Sequence, residues 1–287
     1  MNPIDYEILA AQIRILAIKG IHQVGVGHVG GSMSIADLMA VLYGSVMNVR
    51  TEDPNWSDRD WLVVSKGHSG PAVYAALAKK GFFDENLIFT LNKPKTSLPS
   101  HCDRNTTPGI DMTTGSLGQG MSTAIGVAWA NRYNGHPGFT YLVIGDGEAQ
   151  EGQIWEGAMF AAQHKLSNLI AFIDLNQKQL DGYTDDICSL GDVARKFEEF
   201  GWYTIECDGH DHMAIIDAIA LAKKNGQKPS MVILKTVKGQ GCTFAENVLY
   251  NHHMPVSDED CQSAIARLEK EIEDRSAIKA KGGKSDV

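Results

Sequence analysis

The sequence predicts an α/β fold, with a parallel central sheet flanked by helices on both faces. Tyr141–Ile144 and Leu169–Ile173 are continuous apolar runs of strand length, and a helical pattern from about Gly152 to His164 lies between them. Two such strands joined by one helix make a β-α-β unit, hence a parallel pair. Trp61–Val64 and Met231–Leu234 carry the same buried-strand signature. Strands that are apolar along their whole length need cover on both faces.

In sheets of this kind ligands sit beyond the carboxyl ends of the strands. Asp146 (in Gly145-Asp146-Gly147) and Asn176 stand at two such ends, about thirty residues apart, and can face one site. Carboxylate and amide oxygens are hard donors, suited to Mg2+ or Ca2+ rather than zinc or copper. Two side-chain ligands leave the remaining positions to phosphate oxygens, a backbone carbonyl and water, as for a metal bridging a diphosphate. The glycines allow a tight turn and close approach of backbone to phosphate. Taken alone, the Gly-Asp-Gly triplet is equally an ordinary turn.

The chain has 287 residues, 43% of them hydrophobic, which allows one large α/β domain or two small ones. A net charge of -9 and a pI near 5.5, without a basic stripe, disfavour nucleic acid as a partner. No apolar run is long enough to span a membrane, and the N-terminus lacks the compact apolar region of a secretory signal. Five scattered cysteines, none in a Cys-x-x-Cys pair, fit free thiols in a reducing cytoplasm.

In chain order, Ile4 to about Ile21 reads as an amphipathic helix. A glycine-dense loop, Gly25–Gly31, carries His28, and Ser34 is expected to cap a second helix running to about Met47. The loop reads locally as an interhelical turn or as a site that exposes amides and an imidazole together. After the Trp61–Val64 strand, Ser65–Gly70 carries His68, and Pro71 opens a helix at a position proline tolerates. A histidine there can bind an anion or simply cap the loop. Leu91–Gly115 has little periodicity and reads as a long loop, holding His101. Thr113–Gly120 leads into a small-residue helix ending at Tyr133. Lys66 could help with charge and Lys238 could approach phosphate, but both read more simply as solvated loop residues and are left out of the site. Asp208–His212 looks metal-like, but Asp211 is better read as the cap of a helix from Met213 to Asn225. Ser257–Arg275 is a charged helix, and the tail that closes the 257–287 segment is expected to be mobile. The working division is one domain over 1–287.

Gly145-Asp146-Gly147, Gln150-Glu151-Gly152, Asn176 and Leu180-Asp181-Gly182 together resemble the thiamine diphosphate motif of transketolases. The resemblance covers roughly residues 5–270, the diphosphate-binding (PP-type) half of that family. Arg14 and Gly27-His28 match a family pattern in which Val26 and Val29 replace a small residue and a proline. Thr113–Gly120 differs from its counterpart at one position, Ser116 for Pro. Pro99-Ser100-His101 resembles a Gly-His-Pro loop, and His253 stands where glycine is usual after His252.

By this resemblance Asp146, Asn176 and the Lys178 carbonyl would bind Mg2+ or Ca2+. His68, Gly115, Leu117, Gly145, Gly147, Glu151 and Leu180 would line the thiamine diphosphate site, with Glu151 buried near a subunit contact or, on the plainer reading, an ordinary acidic residue at a helix N-terminus. Leu180 is open to a second reading as plain core packing. His28, His101 and His252 would serve the sugar substrate, with His101 assisting proton transfer, a task suited to a neutral imidazole. The glutamate that activates the cofactor's aminopyrimidine lies, in this family, on a second domain that the matched half does not include. The resemblance therefore implies the N-terminal subunit of a split transketolase, completed by a pyrimidine-binding C-terminal chain in an α2β2 assembly. Such an enzyme moves a two-carbon ketol group from a ketose, or its phosphate, to an aldose phosphate. The alternative is the α subunit of another thiamine diphosphate enzyme, a 2-oxo acid dehydrogenase or a deoxyxylulose phosphate synthase-like protein.

Overall fold

A computed structural model describes residues 1–282. Its central sheet holds five parallel strands, β1 (Trp61–Val64), β2 (Thr140–Gly145), β3 (Leu169–Leu175), β4 (Tyr203–Asp208) and β5 (Ser230–Lys235), in the spatial order β1-β2-β3-β5-β4. Consecutive strand residues face opposite sides, and both sides are apolar here. Tyr141, Val143, Ile170, Phe172, Val232 and Leu234 enter one core, whereas Leu142, Ile144, Ala171, Ile173, Met231 and Ile233 enter the other.

The first core is covered by α1 (Pro3–Val24), α2 (Val29–Ser34), α3 (Ala36–Val41) and α4 (Gly70–Lys80). The second is covered by α5 (Gln119–Tyr133), α6 (Gly152–Gln163) and α7 (Val193–Glu199). Then α8 (His212–Asn225) adds Ile215 and Ile219 to the first core. The last helix, α9 (Asp258–Ala280), runs back along α1, where Lys279 pairs with Asp5 and Arg275 with Glu7. That packing explains why α1 is buried around most of its circumference rather than along one stripe. It also carries α9 beyond the expected end at Arg275. The mobile tail expected after it falls mostly on 283–287, outside the described residues.

Four expected strands and the helices from Pro71, to Tyr133, and from Gly152 are found where the sequence placed them. Asp211 caps α8, its carboxylate accepting from the Met213 and Ala214 amides. Two expectations are corrected. β4 was not anticipated: it is an edge strand, half exposed with mixed polarity, and has no continuous apolar run to reveal it. Ser34 caps nothing; it ends α2, and its hydroxyl donates to the Asp174 carboxylate at 2.7 Å. The chain reaches Met47 through α3 and a short π-helical turn, Leu42–Val46.

The start of α5 is pressed against the end of β1. A Cβ at Gly120 would lie 2.3 Å from Ser65 Oγ and 2.7 Å from Ser65 Cα. The second of these is backbone and cannot rotate away. Gly120→Ala is expected to lower stability by about 2 kcal/mol through overpacking, read as a lower urea midpoint with unchanged slope. An unchanged midpoint would show that α5 can slide.

Candidate active site

The carboxyl ends of β1, β2, β3 and β5 open into a cavity of about 340 Å³. Its wall includes His68, Leu117, Gly145, Asp146, Gly147, Glu151, Asn176, Lys178, Leu180 and His252. Nine of the residues singled out for cofactor or metal binding thus meet His252 at one place. A larger open groove of about 950 Å³ lies at the opposite edge of the sheet, between the segments that lead into β3, β4 and β5, and has none of them.

Register builds the site. Gly145 pairs with Asp174 across β2 and β3, so the turn after Gly145 lies beside the turn after Leu175. Asp146 is 1% exposed and accepts hydrogen bonds from the Gly147 amide at 2.8 Å and the Gln177 amide at 2.5 Å. Burial, then the charge of Asp174, pushes the Asp146 carboxyl up to about 7. Asn176 is buried, its Oδ1 accepting from the Lys178 amide at 3.2 Å. A buried carboxylate facing a second carboxylate is costly without a compensating cation. The oxygens of Asp146 and Asn176 and the Lys178 carbonyl form a hard donor set, which fits a divalent ion. Among the described residues no three His, Cys, Asp or Glu side chains are placed to hold a metal by themselves, so such an ion would draw further ligands from a bound phosphate group.

Two lysines read as solvated loop residues are instead buried in this site. Lys66 is 2% exposed and its ammonium meets Asp174 Oδ2 at 2.5 Å. Lys238 is equally enclosed; its Nζ donates to the Lys178 carbonyl at 2.8 Å and lies 3.4 Å from His252 Nδ1. Burial, then the charge of Lys66, pushes the Lys238 ammonium down to about 8. The flanking residues, Gly-Gln-Gly and Ser-Gly, resemble any mobile loop, so nothing local signalled this burial. Glu148 is also buried and passed unremarked in the sequence. Its carboxylate accepts from Ser65 Oγ, from the Gly118 amide at 2.8 Å and from the Gly145 amide at 3.1 Å, tying β1, the start of α5 and the end of β2 together.

Two residues of the rim are exposed. Leu180 is 57% exposed, so it is no core residue, and it faces the cavity beside half-open Leu117. Glu151 is exposed at the first turn of α6 and makes no capping bond; no burial at a contact is seen for it within this chain.

Histidines gather at the other side. The His28 ring lies 5.3 Å from His68, 5.4 Å from His101, 5.3 Å from His252 and 4.6 Å from His253, centroid to centroid. His68 and His252 are 4.5 Å apart. A two-residue antiparallel bridge, Val26–Gly27 with Met254–Pro255, joins the first loop to the last. The Asn251 carbonyl accepts from the Gly30 amide at 2.9 Å. The buried Tyr74 hydroxyl donates to the carbonyls of Pro99 and His101, and Gly115 lies against the His101 ring. Burial depresses the basicity of all four: His28 falls to about 4, His252 to about 3, and His68 and His101 move in the same direction. Each ring is thus a neutral donor–acceptor pair near pH 7, a surface suited to sugar hydroxyls.

The His28 ring should titrate near 4 rather than near its ordinary 6.5, followed by NMR of the ring protons. An unfolded chain takes up this proton near 6.5 and the folded chain near 4, so its contribution makes stability fall as pH drops through that window and leaves it flat above. A midpoint near 6.5 would place the ring in water.

Residues 6–281 match the family described as "Transketolase, thiamine diphosphate binding domain". The chain is 50% identical to a 6-deoxy-6-sulfo-D-fructose transketolase subunit of Clostridium sp. (strain MSTE9), over 93% of this chain and 98% of that protein. It is 36% identical to an apulose-4-phosphate transketolase subunit of Actinobacillus succinogenes, over 85% of this chain and 88% of that protein. Against the solved transketolase of Leishmania mexicana the TM-score is 0.85 at 30% identity, covering 95% of this chain but 45% of that one. The chain therefore spans under half the length of that transketolase and nearly the whole length of the named subunits. It belongs to the transketolase family, as an enzyme subunit built on the family's thiamine diphosphate-binding domain.

Proposed function

We propose that residues 1–287 act as one thiamine diphosphate-binding domain, the N-terminal subunit of a two-chain cytoplasmic transketolase. A pyrimidine-binding C-terminal subunit, carrying the activating glutamate, would complete the site in an α2β2 assembly. The reaction is transfer of a two-carbon ketol group from a ketose, or its phosphate, to an aldose phosphate. One observation carries the reading: the Asp146–Asn176 edge shares one cavity at the strand ends with His68 and His252, and the His28 ring packs close to those two. The near-complete overlap with chains named as transketolase subunits supports the two-chain organisation. The 2-oxo acid dehydrogenase and deoxyxylulose phosphate synthase alternatives find no such support among these relatives.

Asp146, Asn176 and the Lys178 carbonyl would hold Mg2+ (or Ca2+), and through it the diphosphate. Thiamine diphosphate, when bound, supplies the carbanion-stabilising chemistry. His68 and Lys238 stand where they can meet the diphosphate, while Leu117 and Leu180 border the cavity, Gly115 would join them from beside the His101 ring, and Glu151 faces outward for the partner subunit. His28 and His252 orient sugar hydroxyls, and neutral His101 takes or returns a proton at a substrate oxygen. The donor panel should include 6-deoxy-6-sulfo-D-fructose, the sugar in the name of the 50% identical relative.

Asp146→Ala and Asn176→Ala, each reconstituted with the partner subunit, are expected to weaken thiamine diphosphate binding by about a hundredfold or more, because the diphosphate loses its counter-charge. Calorimetric titration with cofactor and Mg2+ measures this. Retention of full affinity and turnover by both variants would refute the metal-bridged reading.

A further inference from the structure

The motif Asp208-Gly209-His210-Asp211-His212 has a use that capping α8 does not exhaust. Its second residue allows unusual proximity to the end of β5: a Cβ at Gly209 would lie 2.4 Å from Thr236 Cγ2 and 3.0 Å from Leu234 Cβ. The Gly209 amide donates to the Lys235 carbonyl at 2.8 Å. This contact sets His210 beside the loop that follows β5. His210 Nε2 lies 2.8 Å from the Val237 amide nitrogen, and His210 Nδ1 lies 2.7 Å from Asp37 Oδ2.

Those two partners decide the ring's state. The Val237 amide can only donate, so Nε2 must carry no proton. Burial by itself would raise the Asp37 carboxyl, but Arg14 and the two histidines at it hold the group well below the usual carboxylate range. An ionised carboxylate can only accept, so Nδ1 must carry the proton. His210 is therefore a neutral imidazole in one tautomer. Arg14 donates to both Asp37 oxygens and to the Met33 carbonyl, anchoring the carboxylate between α1 and α3. His212 Nε2 stands 3.1 Å from the other Asp37 oxygen.

Val237 immediately precedes Lys238, whose ammonium reaches into the cavity to the Lys178 carbonyl. We propose that His210 is a positioning residue: the Arg14–Asp37–His210 relay, built outside the cavity, holds the Val237 amide and so aims Lys238 into the site. Other bonds hold the loop on both sides of Val237, Thr236 N to the Leu175 carbonyl and Gly239 N to the Gly30 carbonyl. At Val237 itself, the N–H donates to His210 Nε2, while the carbonyl accepts from the Gln240 amide at 3.2 Å within the same loop. The relay links the first helix of the chain to a lysine more than two hundred residues later. What Lys238 then does for cofactor rests on the function proposed above; the relay does not.

Two substitutions separate the halves of the ring. The Asn amide of His210→Asn can donate to Asp37 in place of Nδ1 but does not reach Val237, whereas the longer Gln of His210→Gln can accept from Val237 in place of Nε2. Hydrogen–deuterium exchange on the full chain, without cofactor or partner, reads the loop directly. His210→Asn is expected to speed exchange at residues 236–241 by about fivefold, the effect of one lost hydrogen bond, with His210→Gln close to the parent. Labelling of Lys238 by an amine-acylating reagent, mapped by mass spectrometry, should rise in the Asn variant and not in the Gln variant. A relay that serves stability alone would lower the melting temperature of both variants while leaving their loop exchange and Lys238 labelling alike. Equal exchange in Asn, Gln and parent chains, or equal acceleration in both variants, overturns the proposal. If the relay holds while thiamine diphosphate affinity is the same in all three, the positioning stands and the role assigned to Lys238 falls.

Discussion

A single buried carboxylate, Asp174, is the point on which the site is assembled. It is fully enclosed at the end of β3 and accepts from the Lys66 ammonium, Ser34 Oγ, Asn176 Nδ2 and Thr236 Oγ1. Those donors come from the loop after β1, the end of α2, the loop after β3 and the loop after β5. Isolating one negative charge from water costs far more than any one of these bonds returns, so the donors must be present together. Lys66 supplies the opposing charge that keeps Asp174 below the usual carboxylate range despite its burial. The result is geometric: four segments distant in sequence share one anchor, and Asn176 is oriented by it.

The histidine surface depends on a second, quite different tie. Nothing in the glycine-rich first loop obliges His28 to meet His252. The Val26–Gly27 bridge to Met254–Pro255 and the Asn251–Gly30 contact impose that meeting. Asn251 is fully buried, and its side-chain amide donates to the Lys238 and Ala245 carbonyls. The same residue thereby connects the His28 loop, the Lys238 loop and the His252 loop. Desolvation then makes the imidazoles neutral, so the geometry that collects them also sets their chemistry.

Much of this was legible in the chain. Continuous apolar runs disclosed four of the five strands, because a strand buried on both faces has to be apolar at every position. Strand ends then told where Asp146 and Asn176 would stand, since parallel neighbours finish on the same side of the sheet. The edge strand β4 escaped for the converse reason: exposure relaxes its composition. Lys66, Lys238 and Glu148 escaped because a charged residue beside glycine looks the same whether solvent or an opposite charge will surround it, and Asp174, between Ile173 and Leu175, escaped because its donors come from other segments. Ser34 looked like a cap by local rule and was claimed by a carboxylate 140 residues away.

Sequence by itself determined the layered α/β architecture, the polarity of the strands and the oxygen donors at their tips, all of which follow from periodicity and neighbouring residues. Tertiary structure decided which charges are buried, which protonation states the histidines keep and which loops share a cavity. Those properties depend on distances between segments far apart in the chain and on the exclusion of water between them, and neither quantity is written in any local stretch of residues.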